Sequence, residues 1–375
     1  MVIIDTIKYD YIIVGCGLSG CVIAERIANV LNKRVLILEK RDHIGGNCYD
    51  YVDEQTNIRV NKYGAHLFHT NDKIVWDYIN KFSEWVRWEH KVLSYVDDKY
   101  VSIPVNITTI NELCSENLEN ERDAKDWLKE NQVTYDTIEN SEQMAKSRIG
   151  NILYEKLIKN YTYKQWNLYP EQLKPSVLER IPIRSNFDTR YFNDKYQALP
   201  KNGYTHFFET ILNNDKIDYF TNVDFFEFKK YNDINIPVIY TGPIDTYFKN
   251  KGYEKLEYRS IDFHIEVKNM NFYQPNSVVN FPSIDSKYTR QVEYKHFLNQ
   301  KSDKTIIVSE TTNDHGEPYY PVPNDKNLKL YETYKELSDK EKDVYFVGRL
   351  ANYKYFNMDQ AISNALIFFN DIINI

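Results

Sequence analysis

The sequence predicts an α/β protein that combines a discontinuous Rossmann-like domain with an inserted helical domain and an antiparallel β-sheet domain. A glycine-rich turn lies between two short apolar runs near the N-terminus, and a charged, mainly helical stretch extends from 109 to 179. Several strand-like runs follow, and the chain closes with a strand, a Gly-Arg turn and a helix. The last three elements resemble the second half of a nucleotide-binding domain, so the chain is expected to leave that domain and return to it.

The glycine-rich turn follows residues 11–14, an apolar run typical of a buried parallel strand. Gly15, Gly17 and Gly20 form the pattern G-x-G-x-x-G. The first glycine permits a tight turn, the second lets backbone N–H groups approach a pyrophosphate, and the third lets a helix pack on the strand. This arrangement predicts dinucleotide binding, with a glycine turn that only packs as the alternative.

A helix and a second strand complete this unit. Ile23, Ile27 and Val30 are predicted to form the inward face of the helix, and residues 35–38 form the strand. Glu39 ends that strand, nineteen residues after the last glycine, where a carboxylate would accept the ribose hydroxyls of an adenosine.

A second glycine pair decides which dinucleotide is expected. His43, Gly45, Gly46 and Asn47 closely follow the acid, and this segment resembles the glutathione-reductase-like FAD proteins, which lay the FAD pyrophosphate along it. FAD is therefore favoured over NAD, and the glutamate argues against a 2′-phosphate. The first domain is expected to be an FAD domain.

Bulk composition excludes several functional classes. The 375 residues are 42% hydrophobic and 27% charged, which is ordinary for a globular protein of two or three domains. Mean hydropathy is −0.60, no apolar run approaches the length of a spanning helix, and no secretory signal is visible, so no membrane role and a cytoplasmic location are expected. A net charge of −7 disfavours nucleic acid, although clustered arginines can still bind a small anion.

Metal binding is not expected. The four cysteines lack C-x-x-C spacing, which favours reduced, buried side chains. His66 and His69 are three residues apart, but no acid or cysteine accompanies them and Gly64 indicates a loop. His66 is predicted to contact the flavin, and His69 to be structural.

The middle of the chain offers local signals. A helical period covers 73–88 through Ile74, Trp76, Ile79 and Trp85, and a hairpin turns at Asp97 and Asp98. Thr109 with Glu112 is a capping-box pattern, and Ile149, Leu153 and Leu157 form a core stripe in the helical domain. A buried strand at 238–241 is predicted to return the chain to the first domain, and later runs predict an antiparallel sheet with one polar face.

These signals give the following predicted boundaries. The FAD domain comprises 1–88, 197–246 and 322–375; the helical domain comprises 104–182; the antiparallel substrate domain comprises 89–103, 183–196 and 247–321.

Eleven segments, in order, resemble one family. They are GCGLSG, HIGGN, KYGAHLFHT, YTYKQW, RIPIR with YF, KNGYT, YTGPID, LEYRS, YTR, EPYYPV and GRLANYKYFNMDQA. Together they resemble the bacterial-type UDP-galactopyranose mutases over nearly the whole chain.

The resemblance implies an FAD-dependent isomerase that interconverts UDP-galactopyranose and UDP-galactofuranose and supplies galactofuranose for glycan synthesis. In this family the reduced flavin N5 attacks the anomeric carbon, without net redox. An external reductant, NAD(P)H or a reductase, and a homodimer are expected.

The resemblance also implies residue roles. The residues expected to bind the cofactor are Gly15, Gly17, Gly20, Glu39, Lys40, Gly46, Asn47, His66, Val223, Gly348, Asn357 and Met358. Those expected to bind the substrate are Tyr161, Trp166, Arg180, Tyr191, Arg259, Asn280, Arg290, Tyr319, Tyr320, Arg349 and Tyr355. The catalytic residues implied are His66, Arg180, Arg290 and Arg349. Tyr320 is preferred over Tyr319, because adjacent strand residues face opposite ways.

The chain departs from the family at four positions, one of which is Ala65, where a proline commonly precedes the histidine. Asn357 stands where bacterial members have an aspartate, and Leu157 and Ile158 stand where aromatics often face the uracil. Three alternatives remain open: an FAD amine oxidase or desaturase, a binding protein without catalysis, and a mutase for the N-acetylated sugar nucleotide.

Overall fold

The computed structural model describes residues 4–179 and 181–373. The strands are β1 Tyr11–Val14, β2 Val35–Leu38, β3 Asp50–Val52, β4 Arg59–Asn61, β5 Phe68–Thr70, β6 Trp85–Arg87, β7 Val92–Val96, β8 Lys99–Ile103, β9 Tyr196–Pro200, β10 Ile217–Phe220, β11 Val238–Tyr240, β12 Tyr258–Lys268, β13 Val278–Asn280, β14 Arg290–Glu293, β15 Thr305–Asn313, β16 Tyr320–Pro321 and β17 Val344–Phe346. The helices are α1 Leu18–Val30, α2 Lys73–Ile79, α3 Ile107–Cys114, α4 Glu121–Asn131, α5 Ser141–Leu153, α6 Asn160–Trp166, α7 Ser176–Glu179, α8 Tyr204–Leu212, α9 Phe225–Lys229, α10 Ile244–Tyr247, α11 Asp325–Ser338 and α12 Met358–Ile373, and a π-helical turn, Tyr154–Lys159, joins α5 to α6.

A parallel five-stranded sheet carries the glycine-rich turn. Its strand order is β10-β2-β1-β11-β17, and every neighbouring pair is parallel. The predicted strand, helix and strand at the N-terminus are confirmed as β1, α1 and β2. Because β11 and β17 lie beside β1, the later chain does return to this domain, as the discontinuous fold class requires.

A seven-stranded sheet faces the parallel one across the protein. Its order is β16-β12-β15-β14-β13-β7-β8, and its pairs are antiparallel except β13 with β7, which is parallel. The predicted antiparallel sheet is therefore present, with one parallel junction. That junction arises because the β7–β8 hairpin joins from a distant segment.

The helical region packs around its own apolar core. Ile149, Leu153 and Leu157 are all buried there with Trp127 and Leu128, which confirms the predicted stripe. No helix in the described ranges is both long and apolar enough to cross a bilayer.

Three local predictions were wrong. The helix expected over 73–88 ends at Ile79, and Trp85 lies on β6, whose pairing with the distant β9 overrides the helical period. Ile74 is 72% exposed on α2, and Val30, at the end of α1, is 51% exposed rather than inward-facing.

The predicted helix cap at Thr109 was also wrong, because the helix begins earlier in the chain. Asn106 caps α3, and its side chain accepts from the backbone N–H of Thr109, so Thr109 is the third residue of the helix rather than its cap. Asparagine is the stronger N-cap, which explains the earlier start.

Candidate active site

One cavity of about 940 Å³ lies between the two large sheets and the helical region. Its wall includes the glycine-rich turn after β1, the second glycine pair, the start of α12, the side chains of α6 and the inner ends of β13 and β14. Such a volume is at the upper end for small-molecule sites, roughly 300–1,000 Å³. We call the part around Gly15, Gly17, Gly46 and Glu39 the glycine end.

The glycine end is shaped by backbone. Gly15 has a φ of +102° and a Cβ there would lie 2.3 Å from the Thr241 hydroxyl oxygen. A Cβ on Gly46 would lie 2.9 Å from the Gly17 Cα, so the two glycine segments touch. Gly20 does not reach the cavity, because its α-carbon packs against the Gly15 carbonyl. Its role is the close packing of helix on turn that the motif predicts.

Glu39 is buried beside this turn. One carboxylate oxygen accepts from the backbone N–H of Cys16 at 2.8 Å and the other from that of Arg41 at 2.9 Å. The backbone N–H of Val223 donates to the Glu39 carbonyl at 2.9 Å. Lys40, Asn47 and Val223, which the resemblance assigns to the cofactor, all line the cavity.

The start of α12 also faces the cavity. Asn357 and Met358 line the wall, and the side chain of Gln360 accepts from the backbone N–H of Asn357. Gly348 lies behind the wall with a φ of +100°, where a Cβ would lie 2.8 Å from the Ser19 hydroxyl oxygen.

The opposite part of the cavity contains two arginines, and we call the region around Arg290, Arg349, Tyr320 and Tyr355 the arginine end. The Arg349 guanidinium carbon lies 5.0 Å and 4.6 Å from the ring centroids of Tyr320 and Tyr355. Its Nε and Nη2 are buried without a hydrogen-bond partner among the described residues. These N–H groups are therefore available to an anionic ligand.

Arg290 has a different environment. Its Nε donates to the Glu310 carboxylate at 2.6 Å, and Glu310 is 2% exposed. Burial alone would lower the pKa of Arg290, but Glu310 beside it keeps that pKa raised. With the charge on Glu310 offset by Arg290, the free positive charge of this end comes from Arg349.

Tyr319 and Tyr320 project to opposite sides of the chain, as the alternation of side chains along a strand predicts. Tyr320 lines the cavity, whereas Tyr319 lies behind the wall against Tyr63 and Phe263. Burial and the neighbouring Tyr355 raise the pKa of Tyr320 to about 12, although both arginines oppose the shift. The hydroxyl therefore remains a hydrogen-bond donor at neutral pH.

Other predicted substrate residues also meet in this cavity. They are Tyr161, Trp166, Tyr191 and Asn280. Of the two aliphatic replacements, Ile158 lines the wall and Leu157 is 4% exposed in the helical core. Both also line a small apolar cavity of about 60 Å³ next to the large one, but only Ile158 lines the large cavity itself.

One predicted arginine does not contribute to the wall. Arg259 lies behind it, where its Nε donates to the Gln165 carbonyl at 3.1 Å and its Nη2 to the Thr312 hydroxyl at 3.2 Å. It also pairs with Asp314. The predicted substrate contact of Arg259 is thus not supported, because its donors serve neighbouring chain segments. Arg180 lies outside the described residues.

His66 is held in one tautomer. Its Nδ1 lies 2.7 Å from the Gly64 carbonyl, which can only accept, so Nδ1 carries the hydrogen and Nε2 is an acceptor. Burial lowers the pKa of His66 to about 4, with Arg349 and Arg290 as further contributors. The ring lines the cavity and is neutral at physiological pH.

Sequence reasoning missed two residues of the arginine end. His90 is 3% exposed and lines the cavity, and burial, with Arg290 and His69 nearby, lowers its pKa to about 3. Glu310 is the partner of Arg290. A charged residue within the apolar run TIIVSE was the available signal for Glu310, since a buried carboxylate needs a cationic partner.

Comparisons with known proteins agree on one family. A family profile for UDP-galactopyranose mutase matches residues 156–355, and one for an NAD(P)-binding Rossmann-like domain matches residues 13–82. A probable UDP-galactopyranose mutase of Klebsiella pneumoniae is 36% identical over 95% of this chain and 93% of its own. A UDP-galactopyranose mutase of Mycoplasma genitalium is 38% identical over 95% and 92%.

A relative with another named substrate also matches. The dTDP-fucopyranose mutase of Escherichia coli is 32% identical over 95% of this chain and 96% of its own. Among solved structures, a reduced UDP-galactopyranose mutase superposes with a TM-score of 0.78 at 17% identity, covering 98% of this chain and 96% of that one. At that identity the superposition supports the fold.

Proposed function

The chain belongs to the UDP-galactopyranose mutase family, a family of isomerases, and from this premise we propose that it binds FAD and interconverts UDP-galactopyranose and UDP-galactofuranose without net redox. The observation that carries the proposal is the continuity of the cavity, which joins a glycine cradle to a buried guanidinium with unpaired donors. A dinucleotide and an anionic sugar nucleotide can therefore meet in one enclosed space.

The glycine end fits FAD. The contact between Gly17 and Gly46 leaves no space for side chains, so only backbone faces a pyrophosphate there. Glu39 is suited to ribose hydroxyls, and the start of α12 at Met358 would stabilise negative charge on a reduced flavin by roughly 0.3–1 kcal/mol. When bound in its reduced form, FAD supplies N5 as a nucleophile for the anomeric carbon.

The arginine end fits the diphosphate of the substrate. Arg349 offers unpaired N–H groups, and guanidinium forks bind phosphate oxygens in pairs. As the bond between sugar and UDP breaks, charge grows on the diphosphate, and Arg349 with the Tyr320 hydroxyl would stabilise it. The substrate-binding and catalytic role of Arg180, implied by the resemblance, stays a prediction.

His66 is suited to hold the sugar rather than to move a proton. A histidine with a pKa of about 4 is neutral at working pH, and its Nε2 can accept a hydrogen bond from a sugar hydroxyl. The flavin must be reduced by NAD(P)H or a reductase, because an isomerisation supplies no electrons. The homodimer also stays a prediction.

The test is product analysis with UDP-galactofuranose, with and without dithionite. We expect conversion to the pyranose only with dithionite, since only then is N5 a nucleophile. UDP binding without product in either state would indicate a binding protein instead. Sustained oxygen consumption with an amine would indicate an oxidase.

A second candidate substrate, a dTDP-fucose, is supported by the name of one relative and by a small cavity beside the site. The Escherichia coli relative is named for dTDP-fucopyranose, and a small apolar annex of about 60 Å³ opens beside Ile158 and Tyr161. If the base lies there, the annex would accommodate the methyl group of thymine. The same assay with dTDP-fucofuranose decides between the two, and the N-acetylated UDP sugar is a third arm.

A further inference from the structure

The ammonium group of Lys164 is enclosed by backbone carbonyls. Its Nζ donates to the carbonyl oxygens of Ser283 at 2.8 Å, Ser286 at 3.0 Å and Tyr288 at 2.8 Å, and also to that of Phe281. All four lie in loop 281–288, which connects β13 to β14. We call this arrangement the carbonyl ring.

The loop in the carbonyl ring connects two residues whose side chains line the cavity. Asn280 ends β13 and Arg290 begins β14, and the two residues are directly opposite in the antiparallel pair. Opposite residues of such a pair project to the same face, and both line the cavity. The loop in the carbonyl ring therefore begins and ends beside two side chains of the arginine end.

Lys164 itself belongs to the facing wall. It lies on α6 between Tyr161 and Trp166, which line the cavity, while Lys164 does not. The end of α6 has two further ties to the sheet, since the Thr312 hydroxyl donates to the Lys164 carbonyl and Arg259 donates to the Gln165 carbonyl. The hydrogen bonds of the Lys164 side chain thus connect α6 to the β13–β14 loop.

We propose that Lys164 is a positioning residue that holds Tyr161 and Trp166 of α6 in register with Asn280 and Arg290 across the arginine end. The inference rests on the proposed function, because these four side chains are the predicted substrate contacts. No carboxylate pairs with Lys164 among the described ion pairs, so its charge is matched by carbonyl dipoles alone.

The residue type suits this task. A compact ammonium has three donors that radiate from one atom on a flexible stem, so carbonyls can converge on it from several directions, whereas arginine spreads its donors over a rigid planar fork. Burial lowers the pKa of Lys164 to about 8, which leaves it protonated at neutral pH. Without the cation, the carbonyls of Phe281, Ser283 and Ser286 would lose the donor they share, and only the Tyr288 carbonyl would keep one, the Ser286 hydroxyl at 3.3 Å. The loop would then move.

The experiment compares K164A with K295A in the reduced enzyme. Lys295 is a matched control because its Nζ also donates to backbone oxygens, at Asn271 and Ser302, and it is 2% exposed but does not line the cavity. Small displacements of positioned groups cost on the order of 10²-fold in rate. We expect about that loss of kcat/KM in K164A and less than about threefold in K295A.

Chemical rescue distinguishes positioning from general destabilisation. Propylammonium contains the three carbons and the nitrogen that truncation at Cβ removes, so it should restore turnover of K164A in a saturable manner. It should not affect K295A. Tetramethylammonium, which has no N–H donor, should not rescue K164A at equal ionic strength.

The experiment distinguishes failure of the positioning role from failure of the proposed function. K164A within twofold of wild type, an equal loss in K295A, or a loss that propylammonium does not reverse would overturn the proposal. If K164A does not fold, K164M preserves the stem and should show the same loss relative to K295A. If the wild type itself has no turnover, the proposed function fails, and calorimetric UDP affinity becomes the readout, with about tenfold weakening expected in K164A alone.

Discussion

The glycine end and the arginine end of the cavity are built by different means. The glycine end is shaped by the backbone of two glycine segments that are close in sequence, within residues 15–47, and that are joined by contacts such as the hydrogen bond from Gly45 N–H to the Cys16 carbonyl at 2.8 Å. The arginine end is made of side chains from α6, β13, β14, β16 and the segment after β17, which are far apart in sequence.

At the glycine end the backbone determines the shape of the cavity, whereas at the arginine end side chains determine its charge. A backbone cradle cannot be moved without moving the chain, so it suits a cofactor that stays bound. Side chains such as Arg349 and Tyr320 can be tuned one at a time, which suits the choice of substrate. Substitutions at the two ends should therefore fail in different ways.

The largest effect is expected at the glycine end, from G46A. Gly46 has a φ of +55°, and its added Cβ would lie 2.9 Å from the Gly17 Cα, so the two glycine segments must separate. We expect purified protein with little flavin and no turnover. The ratio of flavin to protein absorbance measures this loss.

Gly252 provides the matched control. Its φ is +78°, so G252A has comparable backbone strain, but no atom of the described residues lies within 4 Å of the added Cβ. Strain alone costs about 1–2 kcal/mol of stability. Equal flavin content in G46A and G252A would mean that the contact with Gly17 does not shape the cofactor site.

A smaller effect is expected at the arginine end, from Y320F. The change removes the hydroxyl but keeps the ring that stacks on Tyr355 at 5.2 Å and lies over Arg349. A hydrogen bond to a charged group contributes about 1.5–3 kcal/mol, so kcat/KM should fall by roughly 10- to 150-fold with flavin content unchanged.

Y319F is the control for this end, because Tyr319 lies behind the wall. It should stay within about twofold of wild type. Steady-state kinetics of the two variants in parallel decide the assignment. A larger loss in Y319F than in Y320F would reverse which tyrosine reaches the substrate.

The same contrast explains what the sequence could predict. The strand, helix and strand of residues 11–38 follow from local period and glycine placement, and the hairpin at Asp97 and Asp98 follows from turn chemistry, with φ of +50° and +59°. Trp85 was misassigned because its strand exists only through pairing with β9, more than a hundred residues later.

At the site, alternation distinguished Tyr320 from Tyr319 but could not place Arg259. A pattern shows that a residue is polar and which face it takes, not what lies opposite. The carbonyl ring around Lys164 is the extreme case, since its acceptors are backbone atoms and leave no mark in the residue types.

The smallest effect is expected where the two ends are linked, from E317Q. Glu317 follows β15 in the segment leading to β16, and its carboxylate lies 3.1 Å from Lys40 Nζ and 3.2 Å from Arg41 Nη2 at the glycine end. Burial would raise the pKa of Glu317, but Lys40 and Arg41 lower it on balance, so it is ionised at neutral pH.

Half-exposed pairs of this kind contribute about 0.2–1 kcal/mol. Flavin should therefore dissociate from E317Q about two- to fivefold faster than from wild type at low salt, and the difference should vanish near 1 M salt, where charges are screened within about 3 Å.

The matched control for this link is E84Q. Glu84 pairs with Lys201 at 2.8 Å on an exposed surface, and neither residue lines the cavity. If the flavin-release rate of E317Q equals that of E84Q at low salt, the ion pairs do not join the two ends. The cofactor would then be retained by the backbone cradle alone, which would make the separation between the two ends complete.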